Sequence, residues 1–178
     1  WEHIKSTVLP EYLLNTGLLA AGVALGTLVI GVSTAWLTAM CRFPGRSVFV
    51  WLLLLPLAMP AYIIAYTYTG MLDFSGPVQS QLREWTGWGY GDYYFPEVRS
   101  LGGAATLLSL VLFPYVYLLS RAAFLEQSVC VLEVSRTLGC NVWSSFFRVA
   151  VPLARPAVVA GVSLALMETL ADYGTVAY

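Results

Sequence analysis

Three stretches of the sequence carry no charged side chain at all: Tyr12 to Met40, Ser47 to Leu72 and Leu101 to Ser120. At about 1.5 Å of rise per helical residue, about 20 consecutive apolar residues cross the hydrocarbon core of a bilayer, and each stretch reaches that length. Composition agrees: of 178 residues, 58% are hydrophobic and 11% charged, whereas a soluble domain carries about a quarter charged residues. In lipid every backbone polar group must be satisfied within the protein, which helices achieve. The expected fold is therefore all-α, a multi-pass transmembrane helical bundle with spanning helices at 12–40, 47–72, 101–120 and, beyond a polar stretch, 157–178. The chain begins on Trp1 and ends at Tyr178 within hydrophobic sequence. The bundle is expected to be truncated at both ends, a single incomplete domain once preceded by another spanning helix.

The spans differ in detail. Gly17, Gly22, Gly26 and Gly31 set small residues along the first, where neighbouring membrane helices approach closely. Pro56 and Pro60 each remove a backbone donor from the second, which predicts a kink facing the bundle interior. Pro114 interrupts the third and Arg121 ends it. Between the second and third spans, Gly76-Pro77, Gly87, Gly89, Gly91 and Pro96 break the helical pattern, and Trp85, Trp88, Tyr90, Tyr93, Tyr94 and Phe95 crowd the same segment. Such a loop suits the headgroup layer, where Trp and Tyr keep one edge dry and the other wet. An aromatic contact surface for a partner is the alternative.

Orientation follows from the arginines, because short loops rich in Lys and Arg stay in the cytoplasm. Arg42 and Arg46 mark one such loop, and two further crossings return Arg121, Arg136, Arg148 and Arg155 to the same side. The 73–100 loop, with Asp73, Glu84, Asp92 and Glu97, then faces outward. Net charge is −1, so no basic field exists to hold nucleic acid. Cys41, Cys130 and Cys140 lack CxxC spacing and His3 is the lone histidine, which signals neither a disulfide frame nor a metal site. Nor do a nucleophile, a base and an orienting group converge as a membrane enzyme would require.

The segment 121–156 reads as two short amphipathic helices joined at Gly139. Leu125, Val129 and Leu132 share one side of the first, with Glu126, Glu133 and Thr137 on another. In the second, Asn141 stands at the N-cap and Trp143, Phe146, Phe147 and Ala150 form an i, i+3, i+4, i+7 apolar face. Gly139 permits the reversal, and Pro152 and Pro156 punctuate the return to the membrane. Periodicity alone leaves open an amphipathic hairpin lying passively on lipid headgroups.

Glu133-Val134-Ser135, three residues, Gly139, then Val149-Ala150-Val151-Pro152 resembles the EAA loop of binding-protein-dependent ABC importer permeases, whose pattern is EAA, three residues, Gly, and later I-x-LP. Glutamate, glycine and proline match, while Val134 and Ser135 replace two alanines and Val151 a leucine. Leu54 to Gln79, Phe113 to Gln127 and Glu168 to Val176 resemble the ferric-iron permeases of that superfamily. The resemblance implies that 121–156 is a cytoplasmic coupling loop, with Glu133, Val134, Ser135, Gly139, Val151 and Pro152 docking on a separate ABC ATPase subunit. ATP would be bound there, leaving this chain without a cofactor. It further implies a periplasmic substrate-binding protein, a second permease module or subunit, and residence among the lipids of a bacterial inner membrane.

Glu168 and Asp172 lie four residues apart, on one face of the fourth helix, and carboxylates within a membrane are costly enough to be functional candidates. With Tyr173 they form a candidate translocation pathway; a helix-packing network with protonated or hydrogen-bonded carboxylates is the alternative. They fall short of a metal coordination set. The expected cargo is ferric iron, with thiamine, polyamine, phosphonate or sulfate as alternatives, and a structural membrane scaffold as the reading from another class.

Overall fold

The computed structural model describes residues 9–89, 100–127, 137, 139 and 141–171. Three long helices make the body: α1 (Leu9–Met40), α5 (Leu101–Glu126) and α6, which begins as Val142–Ser145, widens into a π turn over Phe146–Ala150 and continues as Val151–Ala171. Between α1 and α5 the chain forms α2 (Arg46–Leu52), a short 3₁₀ turn (Leu55–Ala58), α3 (Ala61–Leu72) and α4 (Pro77–Thr86). Among the described residues, three helices are long and apolar enough to cross a membrane: Pro10–Met40, Leu101–Glu126 and Trp143–Ala171.

Small residues set how these helices meet. A Cβ added at Gly22 would stand 3.1 Å from Ala105, one at Gly26 would strike Ser109, and one at Gly31 would stand 2.7 Å from Val116. The paired numbers rise together, so α1 and α5 run parallel. Gly161 presses on the backbone of Val116 from the other side, and Ala165 packs with Leu108 and Leu112, so α6 is antiparallel to both. Of the four glycines noted in the first span, Gly17 alone touches no neighbour; that end of α1 projects past its partners, every residue from Pro10 to Leu18 being exposed.

Two threonine hydroxyls buried along the seam are satisfied without a cross-helix partner. Thr27 donates to the Val23 carbonyl at 2.7 Å and Thr38 to the Thr34 carbonyl at 2.8 Å, the i to i−4 back-bond that lets threonine sit inside an apolar helix.

The 47–72 stretch departs from the single spanning helix expected of it. It touches both core clusters: Leu53 and Leu54 pack against the one that holds Trp36 and Phe124, and Ile64 against the one that holds Leu19 and Leu108. The helix nevertheless breaks, because Pro56 enters a 3₁₀ turn and Pro60 holds Met59 extended (φ −120°, ψ 138°). Leu53, Leu54 and Pro56 turn partly inward whereas Met59 and Pro60 are exposed, so only the first half of the break faces the interior. The third span behaves in the opposite way. Pro114 is fully buried inside α5, and the helix runs unbroken past it and past Arg121 to Glu126.

The 73–100 segment also holds a helix where breakers predict a loop. Gly76 and Pro77 begin α4, and Gly87, in the left-handed region at φ 70°, ends it; proline at the first helical position and glycine just past the last are helix punctuation. Buried Gln79 donates to the Leu72 carbonyl at 2.7 Å, and the Arg83 guanidinium lies 4.1 Å from the centre of the Phe74 ring. These contacts fold α4 back on the end of α3. Trp85 and Trp88 are exposed, while Tyr90, Tyr93, Tyr94 and Phe95 lie outside the described residues.

Candidate functional site

Parallel α1 and α5 with antiparallel α6 bring Met40, Glu126 and Val142 to one end of the bundle. Arg42, Arg46, Arg121 and Arg148 gather there, with Arg155 further along α6. The end is tightly built. Trp36 meets Phe124 edge-on at 5.5 Å between ring centres and Phe146 at 5.0 Å, so the last turns of α1 and α5 and the start of α6 share one aromatic cluster. Val116 and Tyr117 are fully buried beneath it. Arg46 reaches back to cap α1, Nε donating to the Thr38 carbonyl at 2.7 Å and Nη2 to the Ala39 carbonyl at 3.0 Å. Those carbonyls sit in the last helical turn, where no intrahelical donor follows and positive charge is favoured.

From this platform the 121–156 segment departs and returns. It is shorter as a loop than expected, since α5 claims its first residues and α6 its last, with Pro152 and Pro156 both inside the helix. Gly139 has φ 83°, and a Cβ added there would meet nothing within 4 Å; this is the left-handed turn expected of it. The final helix starts directly after Asn141, whose carbonyl accepts from the Ser145 N–H at 2.8 Å. At the root, Gln127 Nε2 donates to the Ala150 carbonyl at 2.9 Å, joining the two flanks.

The apolar face expected over Trp143, Phe146, Phe147 and Ala150 divides. Phe146 and Ala150 are buried in the aromatic cluster, while Trp143 and Phe147 are 69% and 65% exposed. A π turn carries an extra residue, and here Val151 N–H reaches back to the Phe146 carbonyl. Spacing read at 3.6 residues per turn therefore misplaces the face.

Of the other expected site residues, Val151 and Pro152 sit half-buried in the first turn after the π segment. Glu133, Val134 and Ser135 fall outside the described residues. So do Asp172 and Tyr173. Glu168 lies on α6 beside the buried stripe of Ala154, Val158, Gly161, Ala165 and Thr169, and it is itself exposed. Among the described residues no three His, Cys, Asp or Glu side chains gather as a metal site.

A family model described as "Binding-protein-dependent transport system inner membrane component" matches residues 27–178. The chain belongs to that family. Its similarity to individual members is distant but extends over most of its length. It is 29% identical over 148 residues to the molybdenum transport system permease protein ModB of Escherichia coli (strain K12), covering 83% of this chain and 62% of that protein. It is 28% identical over 150 residues to the sulfate transport system permease protein CysT of the same strain, covering 84% of this chain and 51% of that one. ModB of Azotobacter vinelandii is 30% identical over 149 residues, with coverages of 84% and 63%. The chain thus spans between half and two thirds of the relatives it matches. The family is one of membrane components of transport systems, not of enzymes, and family membership and fold agree with the all-α membrane bundle expected from the uncharged runs.

Gln127 is the site residue that the sequence did not announce. A lone glutamine has no signature, and its value rests on a carbonyl twenty-three positions away.

Proposed function

We propose that this chain forms part of the membrane pathway of an ABC importer and that its 121–156 segment is the cytoplasmic coupling loop, docking through Glu133, Val134, Ser135 and Gly139 on a separate ATPase subunit. The single observation that carries this reading is the root of the loop: both flanks rise from the arginine-rich end of a packed three-helix unit and the turn between them passes through Gly139 at φ 83°. A loop anchored in this way transmits a displacement to the spanning helices as a rigid-body movement, the basis of alternating access. A periplasmic substrate-binding protein would deliver cargo at the opposite end, and a second permease module or subunit would complete the pathway. The arginines favour a cytoplasmic location for the loop and an external one for α4. The setting is a bacterial inner membrane.

Ferric iron is the cargo we favour. Three segments, 54–79, 113–127 and 168–176, support it by resemblance, and exposed Glu168 supports it chemically. A carboxylate facing lipid is costly, so its face belongs against another module or a watery path, where it attracts a cation and opposes an anion. Asp172 and Tyr173 extend that path in the sequence. The second cargo reading, molybdate or sulfate, rests on the names of the relatives. Reconstituted full-length transporter, assayed with labelled ferric iron, molybdate and sulfate, separates the two: competition by ferric iron alone supports the first, and uptake of either oxyanion overturns it. For the loop, Gly139→Asp should insert and assemble yet hydrolyse ATP without uptake, and normal uptake by that variant would remove the docking assignment.

A further inference from the structure

Gln127 is half-buried at the first residue after α5, and its Nε2 donates to the carbonyl of Ala150, the final residue of the π turn. Ala150 is fully buried, and Phe146 at the other end of that turn packs on Trp36, which in turn packs on Phe124. The bond therefore joins the exit of the loop from α5 to its re-entry into α6, at a place where α6 is already seated on both neighbours.

The amide is costly where it stands. Its Oε1 is buried and has no hydrogen-bond partner, as are Ser120 Oγ and Arg121 Nε on the preceding turns of α5. A buried acceptor left unpaired opposes folding, and an apolar side chain of the same length would avoid that cost. What glutamine adds is the donated bond across the base of the loop.

We propose that Gln127 is a positioning residue of the coupling loop: by tying the end of α5 to the π turn of α6 it makes the two flanks move together. Displacement of the loop then reaches α1, α5 and α6 as one body, rather than opening the π turn and dissipating in α6. This inference rests on the coupling function proposed above.

The test uses the full-length permease with its ATPase subunit in lipid nanodiscs, carrying spin labels at Leu125 and Leu153, both exposed positions on either side of the root. In the unaltered protein the label-to-label distance should be narrow with and without ATP. Gln127→Met keeps the length and removes the donor; losing one such bond lowers the latched-to-unlatched ratio by about fivefold, so the distribution should broaden. Gln127→Lys restores a donor and should narrow it again. Transport of the cargo identified in the uptake assay, per ATP hydrolysed, should fall in the methionine variant and recover in the lysine variant; no fall would overturn the latch. A distribution as narrow in Gln127→Met as in the unaltered protein would overturn the latch, and so would a lysine variant as broad as methionine. Failure of the unaltered permease to hold an ATPase subunit would instead overturn the coupling function, with the distance measurement still deciding the latch.

Discussion

The three long helices and the 46–86 segment differ sharply in how they hold their place. Helices α1, α5 and α6 meet where glycines admit a neighbour's side chain or backbone and close one end with a Trp36, Phe124 and Phe146 cluster. The 46–86 segment runs in pieces, touches the core through Leu53, Leu54 and Ile64, and leaves Trp51, Met59 and Tyr66 exposed. Packing without gaps gives one arrangement, while a chain broken at Pro56 and Pro60 has backbone joints at which to bend. Under the proposed coupling function, the first would carry a displacement and the second would yield to it.

The largest effect that would sharpen this contrast is in the aromatic cluster. Trp36→Ala should cost about 3–5 kcal/mol, because three helices border the cavity, whereas Trp51→Ala, at a side chain 74% exposed, should stay within about 0.5 kcal/mol. Reversible unfolding of the full-length protein in mixed micelles measures both, and equal losses would erase the distinction. Next comes the helix seam. Gly161→Ala places a methyl group 2.7 Å from the Val116 Cα and should cost about 1–3 kcal/mol. Gly70→Ala on α3 meets nothing within 4 Å and should be neutral or stabilising by up to about 1 kcal/mol. At the junction of the two regions, Arg46→Met removes two donors from the end of α1 and should cost about 1–2 kcal/mol. The smallest effect belongs to Thr27→Val. Its hydroxyl bonds only to carbonyls of its own helix, so the same unfolding assay should register a change within about 0.5 kcal/mol.

Much of the three-helix unit was legible in the sequence because a run of residues without charge over a bilayer's thickness is what a spanning helix demands, and Gly22, Gly26 and Gly31 marked the seam. What escaped were the places where a residue's effect depends on its neighbours. Pro114 reads like Pro60, yet one is buried within a continuous helix and the other ends a 3₁₀ break; local sequence does not reveal which proline has tertiary support. Gly76 and Gly87 read as loop residues because the same glycines that end a helix also fill loops, which hides α4 between them. Helical spacing puts Phe147 on the face of Phe146, because a π turn has no spacing rule to expose it. Gly139 was readable from type and setting alone, whereas Gln127 required knowledge of what lies across from it.

The most direct measurement places a photo-crosslinking residue at Thr137, an exposed position two residues before Gly139, in the full-length permease expressed with its transport partners in native membranes. A coupling loop predicts a covalent adduct with the ATPase subunit whose yield changes between ATP-bound and nucleotide-free states. Adducts with lipid alone, unchanged by nucleotide, would contradict it and leave a passive hairpin on the membrane surface.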